Sequence, residues 1–352
     1  MAAANPLHGT YAATSPTISS QTFTISGILT TVHGLSELPS STTSVACLWL
    51  LHPRLEKKET MDPIAAQIIH AWNTRIADNG AGKFPPGLIA VSFDQRNHGT
   101  RLVDKLHNEA WRQQNPRHAQ DMFSCYHGTA HDVSQLLHHL ESYIFTSPTC
   151  PKITQNLALG ISLGGHAVWH CLLSEPRITA GVVGIGCPDY TRLMTDRARL
   201  SKRETYTSST PPGASFLGST DFPRALLDAV AQHDPAGLLL PGQFNPTGPD
   251  PEPSKASLDR FKILLRDRLH GKSILNLSGK DDKLVPYAAG EPFLNVFKKV
   301  LKEEPSLQIE FEDVLFDGVG HAFPAAMAEK ATIWLCNLLA KGANEGSISS
   351  KM

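Results

Sequence analysis

Residues Leu157–His170 read LALGISLGGHAVWH, and within them Ser162 has a glycine two positions to either side, Gly160 and Gly164. Chance alone supplies such a G-x-S-x-G match in about one chain in seven of this composition. The surroundings must therefore decide whether Ser162 is a nucleophile or a turn residue. Upstream, Ile153–Ile161 (ITQNLALGI) is an apolar run of strand character; downstream, Gly164–Leu173 has helical character. A serine in a sharp strand-to-helix turn needs small neighbours two residues away, and the turn aims the Leu163 N–H at an oxyanion forming on the substrate.

The pattern extends outward from this point. Thr22–Val32 reads as an early strand or a hairpin pair, and Val45–Leu51 and Leu88–Phe93 as buried strands. Pro63–Ile76 and Asp121–Ile144 read as helices, followed after the motif by a strand at Thr179–Ile185. Later come a strand at Ser273–Leu277, a helix at Pro292–Leu301, a strand at Leu307–Phe316 and a helix at Ala325–Leu339. Alternation of this kind predicts an α/β fold, a mostly parallel sheet with helices on both faces, whose sites lie outside the carboxyl ends of the strands. Between Cys187 and Lys272 no core strand is evident, and proline-rich runs (STPPGAS, LLPGQFNPTGPDPEPS) accompany candidate helices at Pro223–Gln232 and Ser257–Leu269. An insertion this long after strand six is expected to form a lid.

A serine hydroxyl needs a base, and the base needs an orienting acid. After the strand SILNL the chain reads SGKDDKLVP, with Asp281 and Asp282 at the strand end. After the last strand it reads FDGVGHAFP, with His321 in a glycine-containing loop. Asp281 and Asp317 are rivals to Asp282. The chain order Ser162, Asp282, His321, each at a strand-to-helix crossing, is that of α/β-hydrolases.

From Thr22 to Leu339 the chain resembles an α/β-hydrolase, with GISLGG as nucleophile elbow, GKDDKLVP as acid loop and GVGHAF as histidine loop. The acid-loop pattern G-x-x-D-x-x-V-P implies Asp282 as the acid, and SFDQRNHGTR resembles the stretch after strand four. The resemblance is to the esterase branch related to dipeptidyl-peptidase-like hydrolases, without their propeller. It implies attack by Ser162, proton transfer through His321, and an oxyanion hole formed by Leu163 and Arg54. Where the family has His-Gly after strand three, this chain has His52-Pro53-Arg54. Proline has no N–H, so Arg54 matches the second donor.

Substrate-binding candidates are His52, His98, Cys187 and Tyr190. His98 either approaches the site mouth or holds its own turn, and Cys187 and Tyr190 either line the pocket or form the turn into the lid. His127/His131 and His166/His170 share i, i+4 spacing, but no third ligand is evident, so helix packing is expected and no metal or cofactor is assigned.

The leading reading is a serine hydrolase of a small-molecule carboxylic ester or thioester. Acyl transfer or cyclisation on the same triad, peptide hydrolysis, and non-catalytic small-molecule binding are its alternatives.

Composition bounds these readings. The 352 residues carry a formal net charge of −1 with 18% charged residues, which gives no electrostatic signature of a nucleic-acid partner. No apolar run has the length of a membrane span. The cluster Arg197–Arg203 (RARLSKR) is expected to be a solvated helix face. Six cysteines show no paired spacing, which points to reduced thiols and an intracellular compartment. The final Ser350-Lys351-Met352 resembles the S-K-L peroxisomal address, so an import receptor is a candidate partner. The expected organisation is a flexible segment 1–20, core 21–187, lid 188–272, core 273–341 and a flexible tail 342–352.

Overall fold

The structure, a computed structural model, describes residues 5–11 and 16–349, with side chains described as far as residue 343. Among the described residues eight strands form one sheet: β1 (Ser20–Ile25), β2 (Ile28–His33), β3 (Ser44–Leu51), β4 (Gly87–Phe93), β5 (Lys152–Ile161), β6 (Ile178–Gly184), β7 (Ser273–Gly279) and β8 (Glu310–Phe316). Their order is β1-β2-β4-β3-β5-β6-β7-β8. The β1–β2 hairpin joins β4 antiparallel, and every pairing from β4 to β8 is parallel. Ser162 therefore stands at the carboxyl end of a central strand, beside the reversal in strand order between β3 and β5.

Among the described residues there are also five short 3-10 helices and ten α-helices: α1 (Asp62–Ala77), α2 (His118–Ile144), α3 (Leu163–Ser174), α4 (Tyr190–Leu200), α5 (Glu204–Thr207), α6 (Arg224–His233), α7 (Pro235–Leu239), α8 (Lys255–Leu269), α9 (Tyr287–Glu303) and α10 (Ala325–Ser349). The period-2 alternation of β3 separates two cores. Val45, Cys47, Trp49 and Leu51 face a cluster with α2, α3, α4, α8 and α9, whereas Ala46, Leu48 and Leu50 face one with α1 and α10. All six cysteines are free thiols, five of them buried. No described helix is long and apolar enough to cross a membrane.

Three expectations are corrected. Helix α9 begins at Tyr287, not Pro292, because the proline lies inside it and lacks only one ladder hydrogen bond. Helix α10 continues to Ser349 through the stretch expected to be a loose tail, which contains no proline to stop it. Arg197 is buried, not solvated. It lies on the same stripe of α4 as Tyr190, Leu193, Met194 and Ala198, spaced i, i+3, i+4, i+7 and i+8. Ser350-Lys351-Met352, the expected import address, lies outside the described residues.

Candidate active site

The turn from β5 into α3 is strained. Ser162 has φ 57° and ψ −111°, a conformation rare for a residue with a side chain. The glycines make it sterically possible. A Cβ on Gly160 would sit 2.1 Å from Gly164 O, and one on Gly164 would sit 2.0 Å from Leu51 O. Such contacts leave only backbone to move. Gly164→Ala is accordingly expected to cost more than about 3 kcal/mol, seen as a large fall in Tm, and to disable the turn. An unchanged Tm would contradict this reading of the elbow.

Ser162 Oγ lies 3.0 Å from His321 Nε2. On the other side of the ring, His321 Nδ1 lies 2.8 Å from Asp282 Oδ2. Asp282 is 4% exposed, and its second oxygen accepts the N–H groups of Leu284 and Val285, both at 2.8 Å. These bonds fix the carboxylate so that it orients the imidazole. Asp281 is exposed, and Asp317 pairs instead with Lys280 at 2.7 Å. The carboxylate bonded to His321 is therefore that of Asp282.

Leu163 is the first residue of α3, so its N–H has no acceptor within the helix and points from a helix N-terminus. The chain at the end of β3 packs directly against that helix start, with Leu51 O and His52 O closing on Gly164. Arg54 follows in this stretch, and its N–H donates to no acceptor among the described residues. The Leu163 N–H is thus available beside Ser162 for an oxyanion.

The remaining candidates hold the frame. His52 is 0% exposed, and its Nε2 accepts the Gln95 N–H at 2.9 Å while its Nδ1 meets Pro53 O at 2.8 Å. Burial, reinforced by His98, lowers its pKa to about 4, so the ring is neutral. Both nitrogens are committed, so His52 ties the β3 and β4 loops together and is not free to bind substrate. His98 meets it edge-on at a ring separation of 5.4 Å and donates from Nδ1 to Arg96 O, its Nε2 buried without a partner. Tyr190 is 0% exposed and donates its hydroxyl to Ala119 O at 2.6 Å; the Cys187 thiol is turned to Asp189 O. These two side chains pack the base of α4, and neither presents a surface to substrate.

His166 and His170 are buried on α3, the first against the Cys187 backbone and the second 3.1 Å from His127. Arg197, which the sequence reading placed in solvent, lies beside the acid loop: its Nη2 donates to Leu284 O at 3.0 Å. Its spacing on α4 was the available signal.

Two clefts open in the surface of the described chain. One, of about 410 Å³, is walled by residues such as Leu227, Val230, Phe244 and Phe293. The other, of about 540 Å³, lies by Asn97, His107 and Asn108. Neither has Ser162 or His321 in its walls, and Ser162 is only 8% exposed.

No protein-family model matches the sequence, and no curated protein does. Among solved structures, the Thermus thermophilus protein TT1662 superposes with a TM-score of 0.53 at 16% identity, over 92% of this chain and 98% of that one. The chain has the α/β-hydrolase fold. An esterase from an Arctic intertidal metagenomic library gives a TM-score of 0.47 at 12% identity, covering 93% of this chain and 96% of that one. At such identities the likeness is one of fold, and the chemistry rests on the chain's own residues.

Proposed function

We propose that the protein is a serine hydrolase acting on a carboxylic ester or thioester of a small molecule. One observation carries this reading: the continuous hydrogen-bonded chain from Ser162 Oγ through His321 to Asp282, with the orphan Leu163 N–H beside the serine. His321 Nε2 takes the Ser162 proton as Oγ attacks the carbonyl carbon. The N–H groups of Leu163 and Arg54 receive the oxyanion. His321 then protonates the leaving group, and water, activated by the same nitrogen, releases the acyl group from Ser162. Asp282 keeps the ring oriented and stabilises the imidazolium throughout.

The segment 188–272, which carries α4 to α8 and no strand of the sheet, serves as a lid. The near-burial of Ser162 fits a lid that must move to admit substrate. The same near-burial favours a second reading, acyl transfer to an acceptor other than water. Adding an alcohol or amine and measuring ester against free acid separates the two.

A fluorophosphonate probe tests the assignment. Wild-type protein is expected to be labelled and Ser162→Ala is not; equal labelling of the two would remove Ser162 as nucleophile.

A further inference from the structure

We infer that the substrate carries an anionic oxygen group, carboxylate or phosphate, received by Arg54 and Arg197 beside Ser162. This inference rests on the serine-hydrolase reading and names its substrate class. Arg197 is 9% exposed and makes no ion pair among the described residues. Its Nε and Nη2 donate to Leu284 O at 3.3 and 3.0 Å, and its Nη1 lies 3.3 Å from His118 Nε2 and 3.0 Å from Met122 Sδ. Arg54, half-buried, donates from Nη1 to Asn108 O at 2.6 Å and makes no ion pair among the described residues either. All of these partners are neutral. Three other arginines partly withdrawn from water hold carboxylates: Arg101 holds Asp132, Arg192 holds Asp189 and Asp250, and Arg203 holds Asp221. Buried charges are ordinarily paired, so two guanidiniums without a carboxylate leave a place for one.

Their position says which place. Arg54 lies three residues past the end of β3, where the Leu51 and His52 carbonyls close on the start of α3, and Arg197 rests on Leu284, two residues after Asp282. Both lean on one loop. Asn108 and His118 are its ends, the loop is closed by Asn115 N–H on Ala110 O at 3.3 Å, and the His118 and Trp111 rings meet edge-on at 5.2 Å.

The two cations also act on each other. Burial lowers Arg54 to about 10, with Arg197 opposing its charge and Glu109 supporting it more weakly. His118 is held well below its ordinary value by burial and then by Arg197 and Arg54. Asp282 supports Arg197, but its oxygens are committed to His321 and to the N–H groups of Leu284 and Val285. An anionic group on the substrate would relieve this repulsion and fix the scissile carbonyl over Ser162.

The test is a selectivity ratio in kcat/KM. One ester pair places the charge on the acyl side (mono-p-nitrophenyl glutarate against p-nitrophenyl pentanoate). The other places it on the leaving group (4-acetoxybenzoate against 4-methylphenyl acetate). Wild type is expected to favour the anionic member of at least one pair by about tenfold or more. That ratio is expected to fall at least about tenfold in Arg54→Gln and in Arg197→Gln, and less in Arg197→Lys, which keeps the charge. Should Arg197→Gln fail to fold by circular dichroism, Arg54→Gln decides.

Competitive inhibition by glutarate or by inorganic phosphate, whichever is stronger, distinguishes a carboxylate from a phosphoryl substrate. The inference is overturned if wild type prefers the neutral ester in both pairs or if the ratio survives both glutamine variants. Neutral-ester turnover that persists in Ser162→Ala would instead overturn the hydrolase reading beneath it.

Discussion

Ser162→Ala is expected to lower kcat for a p-nitrophenyl ester by up to about 10⁶-fold, the scale set by serine enzymes whose triad members act as a unit. In the proposed mechanism the hydroxyl forms the acyl-enzyme, and no second nucleophile is bonded to His321 among the described residues. His321→Ala should cost a similar factor, and the double variant little more, because the two side chains perform one proton transfer. Asp282→Asn is expected to cost about 10⁴-fold. An amide at this position keeps the hydrogen bond to Leu284 and Val285 but favours the wrong imidazole tautomer. A loss below tenfold for Ser162→Ala, measured at saturating substrate, would contradict the mechanism.

The fold itself is expected to be acid-sensitive well above the range of ordinary carboxylate titration. His52 and His166 are fully enclosed, and burial lowers their pKa values to about 4 and about 3. His118 and His170 are held well below their ordinary range, chiefly by burial, and additionally by Arg197 and by His127 respectively. These rings are neutral when folded but protonate freely in the unfolded chain below about pH 6.5. The unfolded state therefore binds more protons as the pH falls. Their stabilising contribution is complete above about pH 7 and drains from pH 6.5 toward the folded values.

Each of His52 and His166 contributes about 2 kcal/mol to the loss between pH 7.5 and pH 5. Asp62, Asp189 and Asp234 work the other way, their carboxyls raised chiefly by burial, but they are three groups against eight lowered imidazoles. Thermal melts should show a Tm lower by on the order of 10 °C at pH 5 than at pH 7.5. His52→Gln should lessen that difference. A Tm independent of pH across this window would mean that these rings are not buried and neutral.

The parts of this account that were legible in sequence are those fixed by local sterics. Gly160 and Gly164 approach each other so closely that only this spacing permits the Ser162 turn, and chain order alone brought Asp282 and His321 to the same sheet edge. The choice between Asp281 and Asp282 depended on which carboxylate the loop turns inward. The motif pattern pointed to Asp282, and the bond to His321 comes from Asp282. His52 was harder to read, because its role is set by Gln95, which reaches it from the loop after another strand. Arg197 was misread because the charge-dense RARLSKR invites a solvent-facing reading. Its i+7 position on the Tyr190 stripe was the opposing signal, and its partner Leu284 is 87 residues away. The start of α9 was missed because proline at the first helical position is the commoner case.

Trapping the acyl-enzyme tests the central claim most directly. Protein quenched in acid during turnover of p-nitrophenyl acetate, digested and read by mass spectrometry, is expected to carry an acetyl group on the peptide containing Ser162, at Ser162 itself, with none in Ser162→Ala. An acetyl group that accumulates on a different residue and persists in Ser162→Ala would contradict the account.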